Sequence, residues 1–144
     1  VLAFVRELAE YEKLSHECVA TLDDIERTLF GPDPAARVLI ALDGDEPVGF
    51  ALWFRSYSTF LGRPGIYLED LYVRPSARGR GHGKALLREL ARICVAEGYG
   101  RLEWSVLDWN APSIAFYEAL GARPRDGWTV MRVDGDRLPN GGAV

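Results

Sequence analysis

The stretch Arg78-Gly79-Arg80-Gly81-His82-Gly83-Lys84 constrains this chain more than any other. It follows an apolar segment ending Leu71-Tyr72-Val73 and precedes a run in which Leu86, Leu90 and Ile93, flanked by Leu87, Ala91 and Cys94, recur at the period of an amphipathic helix. Glycines at alternate positions let the backbone take positive φ and turn several N–H groups toward one anion. The first turn of the helix adds N–H groups without intrahelical acceptors and the positive end of its dipole. Arg78, Arg80 and Lys84 supply charge-assisted donors for phosphate oxygens. A solvated loop with capping glycines is the plainer reading, but three glycines and three cations together favour a phosphate cradle. A Walker loop is excluded, because Gly83-Lys84 is followed by Ala85 and Arg78 occupies the place of its first glycine. The spacing is GxGxG rather than GxGxxG, and hairpins precede it, so a dinucleotide fingerprint is a poor match.

The rest of the composition fits one domain over residues 1–144. A chain this long can bury roughly 68–70% of its unfolded surface and needs no disulfide staples. Its net charge of −4 argues against a nucleic-acid partner. Yet Arg74, Arg78, Arg80, Lys84, Arg88 and Arg92 face only Glu89 between positions 74 and 92, a local basic patch suited to a small polyanion. No apolar run approaches the ~20 residues of a membrane span, and the N-terminal residues do not form a secretory signal. Cys18 and Cys94 stand far apart with no CxxC, and the two His residues are His16 and His82. That pattern favours free thiols in a reducing cytoplasm and no metal site.

Periodicity and turn chemistry give an order α-α-β-β-β-α-β-α-β. The first helix is amphipathic through Leu2, Val5, Leu8 and Ala9 and lacks a capping residue, which suggests an earlier element. A second begins at Thr21, whose hydroxyl can cap the Asp24 N–H, and stops at Gly31-Pro32. Strands are expected at 37–42, 47–60, 66–73, 102–107 and 128–133, and helices at 83–97 and 112–120. Leu61-Gly62-Arg63-Pro64-Gly65 is read as a turn, and the glycine-rich tail at 140–143 as frayed. Hairpins followed by a β-α-β crossover imply an α/β (α+β) fold with a mixed, mainly antiparallel sheet flanked by helices.

The pattern Arg78-x-x-Gly81-x-Gly83, between that strand and that helix, resembles the acyl-CoA signature of GCN5-related N-acetyltransferases. Four further blocks in order are similar to the diamine acetyltransferase branch, which holds spermidine/spermine N1-acetyltransferases and thialysine Nε-acetyltransferases. They are Glu7-Leu8-Ala9-Glu10-Tyr11-Glu12, Tyr67-Leu68-Glu69-Asp70-Leu71-Tyr72-Val73, Asp108-Trp109-Asn110-Ala111-Pro112-Ser113-Ile114-Ala115-Phe116-Tyr117 and Glu118-Ala119-Leu120-Gly121-Ala122. Tyr57-Ser58-Thr59-Phe60 departs from the polyamine enzymes, which carry an acid at position 58 and a Trp at position 60, and looks more like the thialysine branch. Relative to the family, the opening strand and its Arg-x-Ala loop are missing.

The resemblance implies acetyl-CoA as co-substrate and no metal. Loop residues Arg78, Gly79, Arg80, Gly81, His82, Gly83 and Lys84 would hold the diphosphate. Leu71, Tyr72 and Val73 would pair with the pantetheine arm, with Asn110 and Ser113 also contacting the cofactor. Tyr117 would protonate the departing thiolate, a task for which a phenol with pKa near 10 is suited. The amine site would take Tyr11, Glu12, Glu69, Glu103, Trp104 and Ser105, with Glu69 as base directly or through water. An alkylammonium of pKa about 10.4 needs such help at neutral pH. Strand alternation sends Glu69 and Asp70 to opposite faces, and an ion pair within the fold is the favoured reading for Asp70. Trp53, Trp104, Trp109 and Trp128 are read as core or subunit contacts, with Trp109 the candidate for site lining.

The expected activity is direct acetyl transfer in a ternary complex to a small primary amine, thialysine- or lysine-like or a di- or polyamine. A protein or peptide N-acetyltransferase and a non-catalytic CoA-binding module are the alternatives. The resemblance also implies a homodimer.

Overall fold

The first hairpin takes its shape from Gly44, whose φ of +62° closes a tight turn between β1 (Arg37–Asp43) and β2 (Glu46–Ser58). In this computed structural model, which describes residues 1–135 and 138, the chain divides into two compact units, Val1–Ser105 and Val106–Val144. The tail at 140–143 lies outside the described residues.

The first unit holds helices α1 (Leu2–Tyr11), α2 (Leu22–Leu29) and α3 (His82–Ala96), and a four-stranded sheet in the order β1-β2-β3-β4, with β3 at Arg63–Val73 and β4 at Leu102–Trp104. The β1–β2 and β2–β3 pairs are antiparallel and β3–β4 is parallel, the mixed sheet expected. Thr21 and Asp24 form a reciprocal capping box at the start of α2, with Asp24 N–H donating to Thr21 Oγ1 at 3.2 Å.

On one face of the sheet Phe50, Leu52 and Tyr72 pack against Phe4 and Leu8 of α1, with the Phe4 and Phe50 rings stacked 5.5 Å apart. On the other, α3 buries Leu86, Leu87, Leu90 and Cys94. Cys94 is buried: burial pushes its thiol up, and its Sγ donates to Arg101 O at 3.2 Å.

Elements differ from the sequence reading at several points, three of which matter for the site and the chain's end. The turn after β2 is at 59–62, so Arg63, Pro64 and Gly65 belong to β3. Gly65 is needed there for close approach, since a Cβ would meet Arg101 O at 2.8 Å. β4 ends at Trp104 instead of 107. The last expected strand, 128–133, does not form. An isolated extended segment gains nothing without an edge to pair with, and Trp128, Val130, Met131 and Val133 are exposed.

Candidate active site

A β-bulge decides how the paired carboxylates are presented. Along β2–β3, Leu52 pairs with Asp70 and Trp53 with Leu68, which leaves Glu69 as the extra residue. Past the bulge the alternation is shifted by one. Asp70, opposite Leu52, shares the α1 face with Tyr72, opposite Phe50, and with Tyr67, opposite Phe54. Glu69 is exposed and Asp70 half-buried.

The ion pair expected for Asp70 does not form among the described residues. Among the described residues no cation reaches it. Burial, followed by the charges of Glu69 and Glu12, pushes its carboxyl up to about 6. Glu12, just past the end of α1, is also raised by burial. One patch of the sheet therefore gathers acids without a counter-ion, a sink for an incoming cation.

The open edge of β3 lies beside it. The parallel ladder with β4 stops at Leu68–Trp104. Arg74 N–H donates to Val48 O at 2.9 Å, so antiparallel alternation turns the main-chain groups of Leu71 and Val73 away from β2. Tyr72 differs: its backbone faces β2, and burial, followed by the charge of Glu7, pushes its hydroxyl up.

The glycine loop has the backbone that the sequence implies. Gly79 and Gly81 have φ of +77° and +86°, and Gly81 is the left-handed N-cap of α3. A Cβ at either would meet nothing within 4 Å, so the cradle stands open. The N–H groups of His82, Gly83 and Lys84 open α3 and have no acceptor within the helix. The three cations differ in their engagements. Arg80 is paired with Asp43 at the end of β1, Lys84 is exposed, and Arg78 donates from Nε to Val73 O at 2.8 Å. His82 lines a groove of about 250 Å³ with Leu39, Ala41 and Leu86, and its Nε2 is buried without a hydrogen-bond partner among the described residues.

The remaining amine-side residues divide. Tyr11 stacks on the Arg78 guanidinium. Glu103, opposite Tyr67, pairs with Arg101, and Ser105 Oγ lies 2.8 Å from Tyr67 Oη. Trp104 is half-buried opposite Leu68. Tyr67 and Arg74 were missed by sequence reasoning. Tyr67 reads as a strand aromatic until the bulge places it on the α1 face, and Arg74 is one cation among six. Arg74 clamps Glu7 with Nη2 to Oε1 at 2.9 Å and lies 4.7 Å above the Phe4 ring.

The second unit carries Asn110, Ser113 and Tyr117 on α4 (Ala111–Ala119). Asn110 is the buried N-cap, its Oδ1 accepting from Ser113 N–H at 3.4 Å. Tyr117 is half-buried with its ring 5.4 Å from Phe116. Of the tryptophans, Trp53 is core, whereas Trp109 and Trp128 are 51% and 80% exposed and Trp104 is intermediate.

The acetyltransferase (GNAT) family model matches residues 4–122. The chain belongs to that family. A bovine thialysine N-epsilon-acetyltransferase is 37% identical over 96% of this chain and 87% of its own length. An L-ornithine N5-acetyltransferase of Arabidopsis thaliana is 39% identical over 86% of this chain and 51% of its own. Among solved structures, an integron cassette protein from the mobile metagenome of V. cholerae superposes with a TM-score of 0.80 at 26% identity, covering 95% of this chain and 86% of that one. As a GNAT member the chain is an N-acetyltransferase, and acetyl-CoA is the family's donor. Among the described residues no helix is long and apolar enough to cross a membrane.

The donor's diphosphate fits what the loop offers: an open cradle, N–H groups lacking acceptors, and the exposed Lys84.

Proposed function

We propose that this chain acetylates the primary amine of a small cationic substrate, a thialysine- or ornithine-like amino acid or a diamine, by direct transfer in a ternary complex. The observation that carries this reading is the half-buried Asp70 carboxylate, without a paired cation, beside Glu69 and Glu12. A buried acid held without a partner is destabilising for the fold, and an alkylammonium is the charge that relieves it.

The residues divide the work. Asp70 holds the ammonium and takes its proton directly or through water. Glu69, exposed on the bulge, draws the cation in and is the alternative acceptor. Tyr11 and Glu12 wall the amine, and Glu103, Trp104 and Ser105 complete that side. Leu71 and Val73 offer a strand edge to the pantetheine arm, with Tyr72 between them turned to β2. Arg78, Gly79, Arg80, Gly81, His82, Gly83 and Lys84 would hold the diphosphate, with Asn110 and Ser113 as further cofactor contacts. When bound, acetyl-CoA supplies an activated thioester. Tyr117 Oη is the proton donor assigned to the departing sulfur. The free thiols Cys18 and Cys94 suit a reducing compartment such as the cytoplasm. The exposed run Trp128, Val130, Met131 and Val133 supports a homodimer, which light scattering tests.

The test is a panel of thialysine, lysine, ornithine, putrescine, spermidine and a lysine-containing peptide, incubated with acetyl-CoA and followed by free-thiol release. Turnover of one or more small amines, with the peptide inert, is the expected result. Turnover of the peptide alone would favour a protein acetyltransferase. A chain that binds CoA and releases no thiol with any amine would be a binding module.

A further inference from the structure

Helix α1 is laced to the segment that leaves β3 by two arginines spaced four residues apart. Phe4, Glu7, Leu8 and Tyr11 form one stripe of α1, the i, i+3, i+4, i+7 pattern. Arg74 takes the lower half, with its Cζ 4.7 Å from the Phe4 ring centre and its Nε and Nη2 on the Glu7 carboxylate. Arg78 takes the upper half, with its Cζ 5.0 Å from the Tyr11 ring centre and 5.6 Å from that of Tyr72. Its Nε is fixed on Val73 O, so the guanidinium is held on three sides.

We infer that Arg78 is a positioning residue for the amine side of the site, coupling occupancy of the glycine loop to the placement of Tyr11 and the end of α1. A guanidinium carries five N–H donors, and stacking on rings uses its faces. One donor engages Val73 O, which leaves the outer edge able to meet an anion while the face stays on Tyr11. An anion that fixes that edge also fixes the ring. Glu12, whose charge acts on Asp70, is the next residue along the chain from Tyr11. Holding Tyr11 therefore holds the acidic wall. Arg80 and Lys84 cannot do this, because the first is engaged by Asp43 and the second is exposed. The inference rests on the proposed cofactor site and adds to it a second task for one of its residues.

Hydrogen exchange, read with and without coenzyme A, separates the two claims. The reporters are the amides that close the end of α1: Glu12 N–H on Leu8 O at 2.9 Å, Lys13 on Glu10 O at 3.0 Å and Leu14 on Ala9 O at 2.8 Å. In the wild-type chain, coenzyme A is expected to slow exchange at 79–84 and also at 12–14. The effect at 12–14 should be about fivefold, the scale of one cation–π contact. Arg78→Lys keeps the charge but loses the flat face and Nε. Coenzyme A should bind it more weakly, and at saturating coenzyme A it should keep protection at 79–84 and lose it at 12–14. Tyr11→Leu should show the same loss, Tyr11→Phe should restore the effect, and Arg78→Lys combined with Tyr11→Leu should lose no more than either alone. Protection at 12–14 that survives Arg78→Lys, or is absent from the wild-type chain while 79–84 is protected, overturns the coupling. A wild-type chain unprotected at 79–84 overturns the cofactor site itself, and the coupling falls with it.

Discussion

Asp70 stands directly opposite Leu52 across the β2–β3 ladder, although the register that pairs Trp53 with Leu68, carried on without a bulge, would have put Glu69 there in its place. The bulge at Glu69 turns two adjacent acids into an inner carboxylate on an apolar face and an outer one in solvent. The inner one has an apolar neighbour, two acidic ones and, among the described residues, no cation, and its proton is held up to about 6. On the proposed role of Asp70, function and stability pull against each other at this residue.

Asp70→Asn should stabilise the fold. Because the native carboxyl binds its proton more tightly than in the unfolded chain, stability falls as pH rises from about 4 to about 6 and stays lowered above that. From 3.8 to about 6, at about 1.4 kcal/mol per unit, the gain on removal is on the order of 2–3 kcal/mol at pH 8. It should shrink toward zero at pH 4, where the wild-type group is neutral in the native state. Urea unfolding of both chains at the two pH values measures it. A variant less stable than wild type at pH 8 would mean that Asp70 has a structural partner.

Glu7 behaves in the opposite sense. The Arg74 guanidinium bonded to it holds its carboxyl below the usual range, and the Tyr72 hydroxyl adds to this. A depressed native value gives stability that is present above the unfolded value and lost as pH falls through the native one. Glu7→Gln should therefore lower stability by about 1 kcal/mol at pH 7, the scale of a half-exposed charged bond. The difference should close below about pH 4, the carboxylate range. Denaturant midpoints across that window check the sign.

Gly81 is under conformational rather than steric control, since its φ is +86° and a Cβ would touch nothing within 4 Å. Gly81→Ala should lose about 1 kcal/mol of stability from backbone strain. Gly81→Asp adds an anion inside the cradle, and coenzyme A affinity should fall on the order of 100-fold, about 2.7 kcal/mol. Calorimetric titration of coenzyme A decides it, and undiminished binding would remove the loop from the cofactor site.

Tyr117→Phe should lower kcat by roughly 10²–10⁴-fold, the range for losing a general acid, with coenzyme A affinity kept. Steady-state kinetics beside titration separates the two effects. An unchanged kcat takes Tyr117 out of the mechanism.

Much of this was legible in the sequence because its signals are local. The capping pair Thr21 and Asp24, the turn at Gly44, the stripe of α3 and the glycine loop each depend on residues a few positions apart. What escaped depends on pairing between distant segments. The bulge at Glu69 exists only against β2, so strand alternation alone could not tell which carboxylate would be inner. Gly65 read as a turn residue because its reason, the approach of Arg101 O, lies 36 positions away. The alternating apolar run at 128–133 has strand character, but a strand needs an edge, and no ladder forms there among the described residues. Arg78 was legible as a cation beside glycines, whereas its stacking on Tyr11 brings together residues 67 positions apart.

The most direct measurement is the pH dependence of kcat/KM for the best small amine, in the wild-type chain and in Asp70→Asn and Glu69→Gln. An acidic limb near pH 6 is expected in the wild type, reporting the free carboxyl, kept but moved to lower pH in Glu69→Gln, which loses a charge that raises Asp70, and abolished in Asp70→Asn. A wild-type limb that persists in Asp70→Asn, or vanishes in Glu69→Gln alone, would contradict the role proposed for Asp70.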